Sequence, residues 1–283
     1  MKKRFSIAYM KQSELLSAEK EAAYALSAGF VETSVSLAGD LRPEELMLLR
    51  ESGLVIEALR LPDEGVNLLW EPSAAATPAE DALPSDEPRA DDGTWEMLLS
   101  LYRSYFAFAV NLGIERVIFT PAVGTGLPLV SQTALSRFRA LAALAREKGV
   151  RLLLENDRSA PHFEAAVRVC CEDGYHGVSF SPAKAWRYFG TSALPPYAAE
   201  HLFRVSLDDG KGDAFGYLPG DGDTDFRPFA RSLASLRFRG TLAVSPNKNL
   251  AAYAPLDYFT LASRAYDGLY TLQRLFKKEE GVV

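Results

Sequence analysis

The chain alternates short β-rich runs with longer helical patterns about eight times along its 283 residues. The apolar strand candidates are Phe5–Met10, Phe30–Leu37, Leu54–Leu61, Arg116–Thr120, Arg151–Glu155, Gly177–Ser181, Leu202–Leu207 and Thr241–Ser245. Strands that alternate with helices pair in parallel and carry the helices on the outside. Eight such units match the roughly 250 residues of a (β/α)8 barrel plus insertions. The pattern therefore predicts an α/β fold, a single TIM-barrel domain over residues 1–283.

A doubly wound open sheet is the alternative reading of the same alternation. That fold usually carries a glycine-rich phosphate-binding turn after its first strand. Residues 8–13 contain no glycine. The missing turn favours the barrel.

A long acidic, proline-rich insertion follows the third predicted strand. Residues 71–93 hold four prolines and seven acidic residues against one arginine. Proline removes backbone donors and the acids repel one another, so we predict an insertion loop. Because it leaves the carboxyl end of strand three, it is either a solvated insertion or a lid over a ligand.

Composition narrows the class of partner. The 31 basic and 37 acidic residues give a net charge of −6 with no basic block, so we expect no nucleic-acid partner. No apolar run reaches the roughly 18 residues of a membrane span, so we expect no membrane association. Cys170 and Cys171 are adjacent and cannot form an ordinary structural disulfide, which favours the cytoplasm.

Side-chain alternation predicts which residues face the barrel axis. In each strand the apolar parity should face the helices, which turns a serine-rich, partly charged set inward. This set comprises Glu32, Ser34, Ser36, Arg151, Leu153, Glu155, Asp157, Ser179, Ser181, Arg204, Ser206, Asp208, Thr241, Ala243 and Ser245. Buried charges are costly unless they are paired. We therefore predict an ion pair between Glu155 and either Arg204 or Lys184.

Four segments carry a resemblance to a known family. LLLEND at 152–157, HGVSFSPAKAW at 176–186, LFRVSLDD at 202–209 and RGTLAVSP at 239–246 are arranged as in the sugar phosphate isomerase/epimerase family with xylose isomerase-like barrels. The resemblance implies a divalent metal held by a glutamate ending strand five, an aspartate and a histidine at strand six, a histidine at strand seven and a glutamate ending strand eight. It also implies that the two glutamates act as an acid/base pair.

Only part of this ligand set is present. Glu155 matches the strand-five glutamate, whereas the other positions read Ser181, Lys184, Ser206 and Ser245, with Ser34 where strand two often ends in glutamate. Serine hydroxyls are poor ligands for Mn²⁺, Mg²⁺ or Zn²⁺. We therefore expect no metal and no other cofactor, with Lys184 or Arg204 supplying the positive charge. A divalent ion at Glu155 is the alternative that the resemblance implies.

The resemblance implies a protein that acts on or binds a small sugar or sugar phosphate. As an enzyme it would be an isomerase or epimerase of a ketose, a sugar phosphate or an inosose-type substrate. Glu155 would be the base if burial raised its pKa, and the Lys184 ammonium would stabilise an oxyanion. The alternative is a non-catalytic carbohydrate-binding or regulatory barrel. Homo-oligomer formation stays open.

Further candidates for substrate binding lie at or just beyond the carboxyl ends of strands: Ser181, Arg204, Ser206, Ser245, Arg158, Arg187, Lys248 and Trp186. The basic residues among them suit a phosphate or carboxylate, although charged loops are often merely solvated. Trp186 offers a sugar-stacking surface or simply packs under a loop. His162 is expected at the surface, His176 in a structural role, and Gly220 and Gly222 in a loop before the seventh barrel helix.

Overall fold

Eight parallel strands close into a barrel in the computed structural model, which describes residues 4–9, 17–38, 42–71, 90–236 and 238–279. The first seven barrel strands are β1 Arg4–Ala8, β2 Glu32–Ser36, β3 Val55–Arg60, β4 Arg116–Phe119, β5 Arg151–Glu155, β6 Gly177–Phe180 and β7 Leu202–Ser206. A short antiparallel hairpin follows, formed by β8 Asp209–Lys211 and β9 Ala214–Tyr217. The eighth barrel strand is β10 Thr241–Val244. The predicted (β/α)8 barrel is confirmed.

Helices connect successive strands on the outside of the barrel. They are α1 Ala18–Ala28, α2 Pro43–Glu51, α3 Ala90–Asn111, α4 Gln132–Glu147, α5 Ala160–Cys170, α6 Pro182–Phe189, α7 Pro196–Ala199, α8 Arg227–Ala234 and α9 Tyr258–Glu279, with a short 3-10 helix at Val66–Leu69. Within the described ranges, no helix combines the length and the apolar character that a membrane crossing requires.

The strand register aligns polar residues of neighbouring strands at one level of the barrel. Glu155 of β5 lies opposite Ser179 of β6, and Ser179 lies opposite Arg204 of β7. Strand β10 then closes the sheet between β7 and β1. Side chains of equal parity on these strands therefore meet inside the barrel.

The apolar parity faces the helices, as the sequence predicts. Leu152 and Leu154 of β5, like Val205 of β7, belong to the core between sheet and helices. Leu153 has the opposite parity and is buried outside that core. The polar inward set consequently shares the barrel interior with few large apolar side chains.

The insertion after β3 is described only at its ends. Helix α3 begins at Ala90, so residues 90–93 of the predicted insertion loop are helical. Residues 72–89 lie outside the described ranges, so the loop prediction and the choice between insertion and lid stay predictions there.

The hairpin β8–β9 is an element that the alternation pattern does not predict. The Asp209 carboxylate organises the segment around it by accepting the backbone N–H groups of Gly210 (2.8 Å), Gly220 (3.0 Å), Gly222 (3.0 Å) and Thr224 (3.1 Å). Gly222 passes so close that an added Cβ would collide with this carboxylate. The aspartate- and glycine-rich sequence thus folds around one buried anion.

Candidate functional site

Glu155 ends β5 at the carboxyl-terminal mouth of the barrel, where its side chain is 2% exposed. Its Oε1 lies 3.2 Å from Lys184 Nζ, and its Oε2 accepts from Arg60 at 2.7 Å and from the Ser179 hydroxyl at 3.2 Å. The predicted ion pair with Lys184 is confirmed. The carboxylate is therefore surrounded by two cations and a hydroxyl.

Lys184 reaches Glu155 because β6 passes directly into helix α6. The Ser181 hydroxyl caps that helix by accepting the Lys184 N–H at 3.3 Å, and Asn156 fixes the Ser181 backbone with two hydrogen bonds of 2.7 and 3.0 Å. Lys184 lies in the first turn of α6 and also lies 3.6 Å from Asp157. Its ammonium is thus held by two carboxylates at the mouth.

Arg60 is a site residue that the sequence pattern does not predict. It ends β3, and its side chain is 27% exposed, close to the 22% of Lys184. Both cations therefore remain partly open to the mouth while they hold the buried Glu155. These two side chains, together with Glu155, form what we call the mouth cluster.

A second ion pair lies deeper in the barrel. Arg204 is fully enclosed, and its Nε donates to Glu57 at 2.9 Å. Its other nitrogens reach the hydroxyls of Ser179 (3.2 Å), Ser206 (3.4 Å) and Ser34 (3.4 Å). The closest approach of Arg204 to Glu155 is 3.9 Å. The predicted proximity of Arg204 to Glu155 is present, but Glu57 is its main partner.

The mouth cluster keeps Glu155 ionised. Burial alone would raise the pKa of this carboxyl, but Arg60 and Lys184 outweigh it and hold the pKa well below its usual range. Burial likewise opposes the charge on Lys184, and Glu155 outweighs it and raises the pKa. Glu155 was expected to act as a base only if burial raised its pKa. Its pKa is lowered instead, so that condition is not met.

Asp208 brings another carboxylate to the same mouth. It follows β7, and its Oδ1 accepts the backbone N–H of Ser245 at 2.5 Å, just after β10. Burial and the negative charge of Glu155 raise the pKa of Asp208 to about 6, against the opposing effects of the Ser245 N–H, Arg204 and Arg60. This carboxyl therefore changes charge close to neutral pH.

The residues at the mouth do not fit the divalent metal that the resemblance implies. Both oxygens of Glu155 already bind protein donors, and the ammonium of Lys184 would repel a cation placed beside them. Ser181 and Ser206 use their hydroxyls within the protein, as helix cap and as acceptor from Arg204. In the part of the chain that the structure describes, no group of three or more His, Cys, Asp or Glu residues is placed to hold a metal.

Other predicted binding residues have protein partners of their own. The Lys248 ammonium donates to the carbonyl oxygens of Tyr253 (2.7 Å), Ala254 (2.8 Å) and Leu256, which ties the chain before α9 together. The Arg187 guanidinium donates to Asp213 in the turn of the hairpin at 2.6 Å. Within the described ranges, no hydrogen bond or ion pair joins Lys248 or Arg187 to the mouth cluster.

A cavity of about 260 Å³ lies between α6 and the β8–β9 hairpin. Trp186 and Arg187 line one side and Phe215 lines the other. The Trp186 side chain is half-exposed, and Arg158 lies over the ring of Tyr188 at 5.1 Å. Trp186 therefore offers the open aromatic surface that the sequence analysis predicts, and its role in stacking a sugar stays a prediction.

Two histidines have structural contacts. His162, expected at the surface, is instead buried: its Nδ1 lies 2.6 Å from the Ser159 hydroxyl and its Nε2 lies 2.7 Å from the Pro128 carbonyl. Its ring packs edge-on against Trp70, which explains the burial. His176 accepts the Leu152 N–H at 3.0 Å, as its predicted structural role requires.

A β-bulge on β3 prevents side-chain alternation from predicting that Arg60 and Glu57 face the barrel interior. Thr33 pairs with Ile56 and Ser34 pairs with Ala58, so Glu57 is an extra residue on β3. A bulge interrupts the strict alternation of side chains. Glu57 and Arg60, which alternation would place on opposite faces, consequently both form ion pairs inside the barrel.

The family model of the xylose isomerase-like TIM barrel matches residues 86–258. No curated protein sequence matches the chain. Among solved structures, an L-ribulose 3-epimerase has a TM-score of 0.67 at 17% identity, with 98% of each chain covered. A D-allulose 3-epimerase from Methylomonas sp. in complex with D-allulose has a TM-score of 0.63 at 18% identity, with 96% of this chain and 98% of that chain covered.

A third similar structure is larger than this chain. It is a xylose isomerase-like TIM barrel/4-hydroxyphenylpyruvate dioxygenase fusion protein, with a TM-score of 0.67 and 18% identity. All of this chain aligns, and it spans 45% of the fusion protein. Likeness at such identities concerns the fold, whereas the family model covers more than half of the chain. The chain belongs to the xylose isomerase-like TIM barrel family.

Proposed function

We propose that the protein is a sugar isomerase/epimerase-like barrel that acts on a small sugar or sugar phosphate without a divalent metal. The proposal is supported by the family, by the sugar epimerases among the similar structures, and by the mouth cluster. The observation that carries it is the position of two partly exposed cations, Lys184 and Arg60, around Glu155 at the carboxyl ends of the strands.

Lys184 and Arg60 can stabilise the negative charge that a sugar isomerase or epimerase reaction generates. Removing a proton from the carbon beside a carbonyl leaves negative charge on the carbonyl oxygen, which a positioned cation stabilises. Lys184 and Arg60 would bind that oxygen from the mouth. Glu155 acts as a positioning residue, because its low pKa keeps it anionic between the two cations.

The proposal is tested by assaying ketoses, sugar phosphates and inosose-type polyols with and without added Mn²⁺. We expect turnover that does not depend on Mn²⁺ and that falls by about 100-fold or more in K184M, because oxyanion stabilisation is lost. The exposed Lys277 of α9 offers a matched control, K277M, with unchanged turnover. Turnover that appears only with Mn²⁺ would contradict the proposal.

A non-catalytic carbohydrate-binding barrel is the second candidate. The observation that favours it is the three-way pairing of Glu155, since a carboxylate so stabilised is a weak base. Binding without turnover would raise the melting temperature in the presence of a sugar while leaving that sugar unchanged. Such a result across the whole panel supports the binding barrel over the enzyme.

A further inference from the structure

The cavity between α6 and the β8–β9 hairpin has aromatic side chains on both of its sides. Trp186 of α6 lines one side, and Phe215 of β9 lines the other. Trp186 is 38% exposed, so a ligand can reach its indole. The volume of about 260 Å³ is just below the roughly 300–1,000 Å³ of pockets for drug-sized ligands, so the cavity suits one small ring.

The Phe215 side of the cavity is fixed before any ligand binds. Phe215 pairs with Gly210 across the hairpin, and a Cβ added at Gly210 would lie only 3.0 Å from the Phe215 ring. The Tyr188 ring of α6 packs against the same phenyl ring, with 5.7 Å between the two centroids. Contacts on two sides thus hold Phe215 in place. A preformed aromatic wall binds a ligand at a low cost in side-chain entropy.

Two polar residues of the cavity lining have hydrogen-bonding capacity that the protein leaves unused. The Asp223 carboxylate is exposed and makes no hydrogen bond or ion pair with another residue of the described ranges. The Thr224 hydroxyl is enclosed and likewise has no partner there, although an enclosed hydroxyl without a hydrogen bond is costly. Because Thr224 lines the cavity, rotation about its Cα–Cβ bond can present the hydroxyl to a ligand.

The charges of the lining favour a neutral ligand. Arg187 and Asp223 are its charged residues, and their charges cancel. Arg187 already donates to Asp213 at 2.6 Å, and a phosphate in the cavity would also meet the Asp223 carboxylate, which repels it. A neutral pyranose ring matches this lining, because its C–H face packs against an aromatic ring and its hydroxyls donate to a carboxylate.

A chain of contacts joins the cavity to the mouth cluster. Lys184 lies 3.6 Å from Asp157, and the next residue, Arg158, lies over the Tyr188 ring at 5.1 Å. Lys184 and Arg187 are three positions apart on α6, so they are neighbours on the helix surface. About one helical turn, roughly 5 Å along the helix axis, therefore separates the cation from the cavity lining. One ligand of two linked rings can reach both places.

We propose that this cavity is a second carbohydrate subsite and that the substrate is a glycosylated ketose. The ketose unit lies at the mouth cluster, where Lys184 and Arg60 face its carbonyl oxygen, and the linked neutral pyranose lies between Trp186 and Phe215. This inference rests on the proposed function and names its substrate class. A free ketose leaves the subsite empty, so we expect it to bind more weakly than the glycosylated form.

The experiment compares D-fructose with three disaccharides that carry a pyranose on fructose, namely turanose, lactulose and isomaltulose. Isothermal titration calorimetry measures their affinities for the intact protein. We expect at least one disaccharide to bind about 10-fold or more tightly than D-fructose, because it adds aromatic packing. W186A should abolish this gain and leave the affinity for D-fructose unchanged, whereas W186F should retain most of the gain. The exposed Tyr270 of α9 offers the control Y270A, with an unchanged gain.

The polar side of the subsite is tested by D223N. We expect the gain in affinity to fall about threefold or more, because a sugar hydroxyl binds a carboxylate more strongly than a neutral amide. The exposed Asp267 of α9 offers the control D267N, in which the gain should be unchanged. Equal affinities of D223N and D267N for the disaccharide would remove Asp223 from the subsite and contradict the polar contacts proposed for it.

The outcomes separate the two proposals once the turnover of each sugar is assayed as well. If no disaccharide binds more tightly than D-fructose, or if W186A keeps the full gain, the subsite is overturned, while turnover of a free sugar still supports the proposed function. If W186A abolishes a gain but no sugar is turned over, the subsite stands and the enzyme is overturned. If no sugar binds or is turned over, both proposals are overturned.

Discussion

Arg204 and Glu57 form an ion pair that is almost wholly enclosed in the barrel, with side chains 1% and 0% exposed. Two charges in such a place are stable only when each satisfies the other and further polar groups complete their hydrogen bonds. Three serine hydroxyls do this for Arg204. The serine-rich interior that the sequence predicts therefore provides the hydrogen-bond acceptors that water would otherwise offer to this guanidinium.

Substituting Glu57 alone should destabilise the fold strongly. In E57Q the Arg204 cation stays buried without its main anionic partner, so we expect the free energy of unfolding to fall by about 3–5 kcal/mol. Urea denaturation measures this change. The double variant E57L/R204M removes both charges and should recover much of the loss, whereas an additive loss would contradict the pairing.

The pKa of Asp208 predicts a pH dependence of stability. The folded protein keeps a proton on this carboxyl up to about pH 6, whereas the unfolded chain releases it near pH 4. The folded state thus binds more protons over that interval, and the Asp208 contribution to stability falls as pH rises through it.

The D208N variant should not show this loss of stability with rising pH, because an asparagine amide does not titrate. Relative to the wild type, we expect its free energy of unfolding to gain about 1–3 kcal/mol between pH 4 and pH 7. Urea denaturation of both proteins across this range measures the difference. A gain of the same size in the control D267N, or a constant difference between D208N and wild type, would contradict the assignment.

At the residue level, alternation and the resemblance together predict Glu155, Lys184 and Arg204 as neighbours. They fail for Arg60 and Glu57 because the bulge on β3 changes the face of every residue beyond it. They also leave Asp208 without a role, since its single backbone donor follows from the geometry between two strand ends. No local sequence pattern encodes that contact.

At the element level, the Asp209 carboxylate holds a segment of 16 residues, from 209 to 224, by four backbone hydrogen bonds. The hairpin β8–β9 and the loop that carries Gly220 and Gly222 both depend on it. The loop expected from the two glycines is present, whereas the hairpin is absent from the prediction because glycine and aspartate disfavour strands in general. A buried anion overrides that preference here.

D209N tests this role of the anion. In this variant an amide NH2 replaces one acceptor oxygen, and it cannot accept hydrogen bonds from the backbone N–H groups that face it. We therefore expect the free energy of unfolding to fall by about 2–4 kcal/mol. Asp213 in the same hairpin has a side chain 77% exposed, and D213N should change stability by less than about 0.5 kcal/mol. Equal losses in the two variants would contradict a specific role of Asp209.

At the level of the whole molecule, the alternation of strands and helices predicts the barrel, and barrel closure brings the carboxyl ends of all eight strands to one mouth. Residues from β3, β5 and α6 meet there although 124 positions separate Arg60 from Lys184. The barrel fold thus determines where the site lies, and the side chains of this chain determine the charge of the site. We propose that Arg60 and Lys184 supply at this mouth the positive charge that the metal implied by the resemblance would supply.

The metal content of the intact protein tests this claim most directly. The protein is purified without chelator, incubated with excess Mn²⁺ or Zn²⁺, freed of unbound ion and analysed by inductively coupled plasma mass spectrometry. We predict far less than one ion per chain for each metal, because the two cations on Glu155 oppose a third positive charge. One ion per chain that is lost in E155Q would contradict the account.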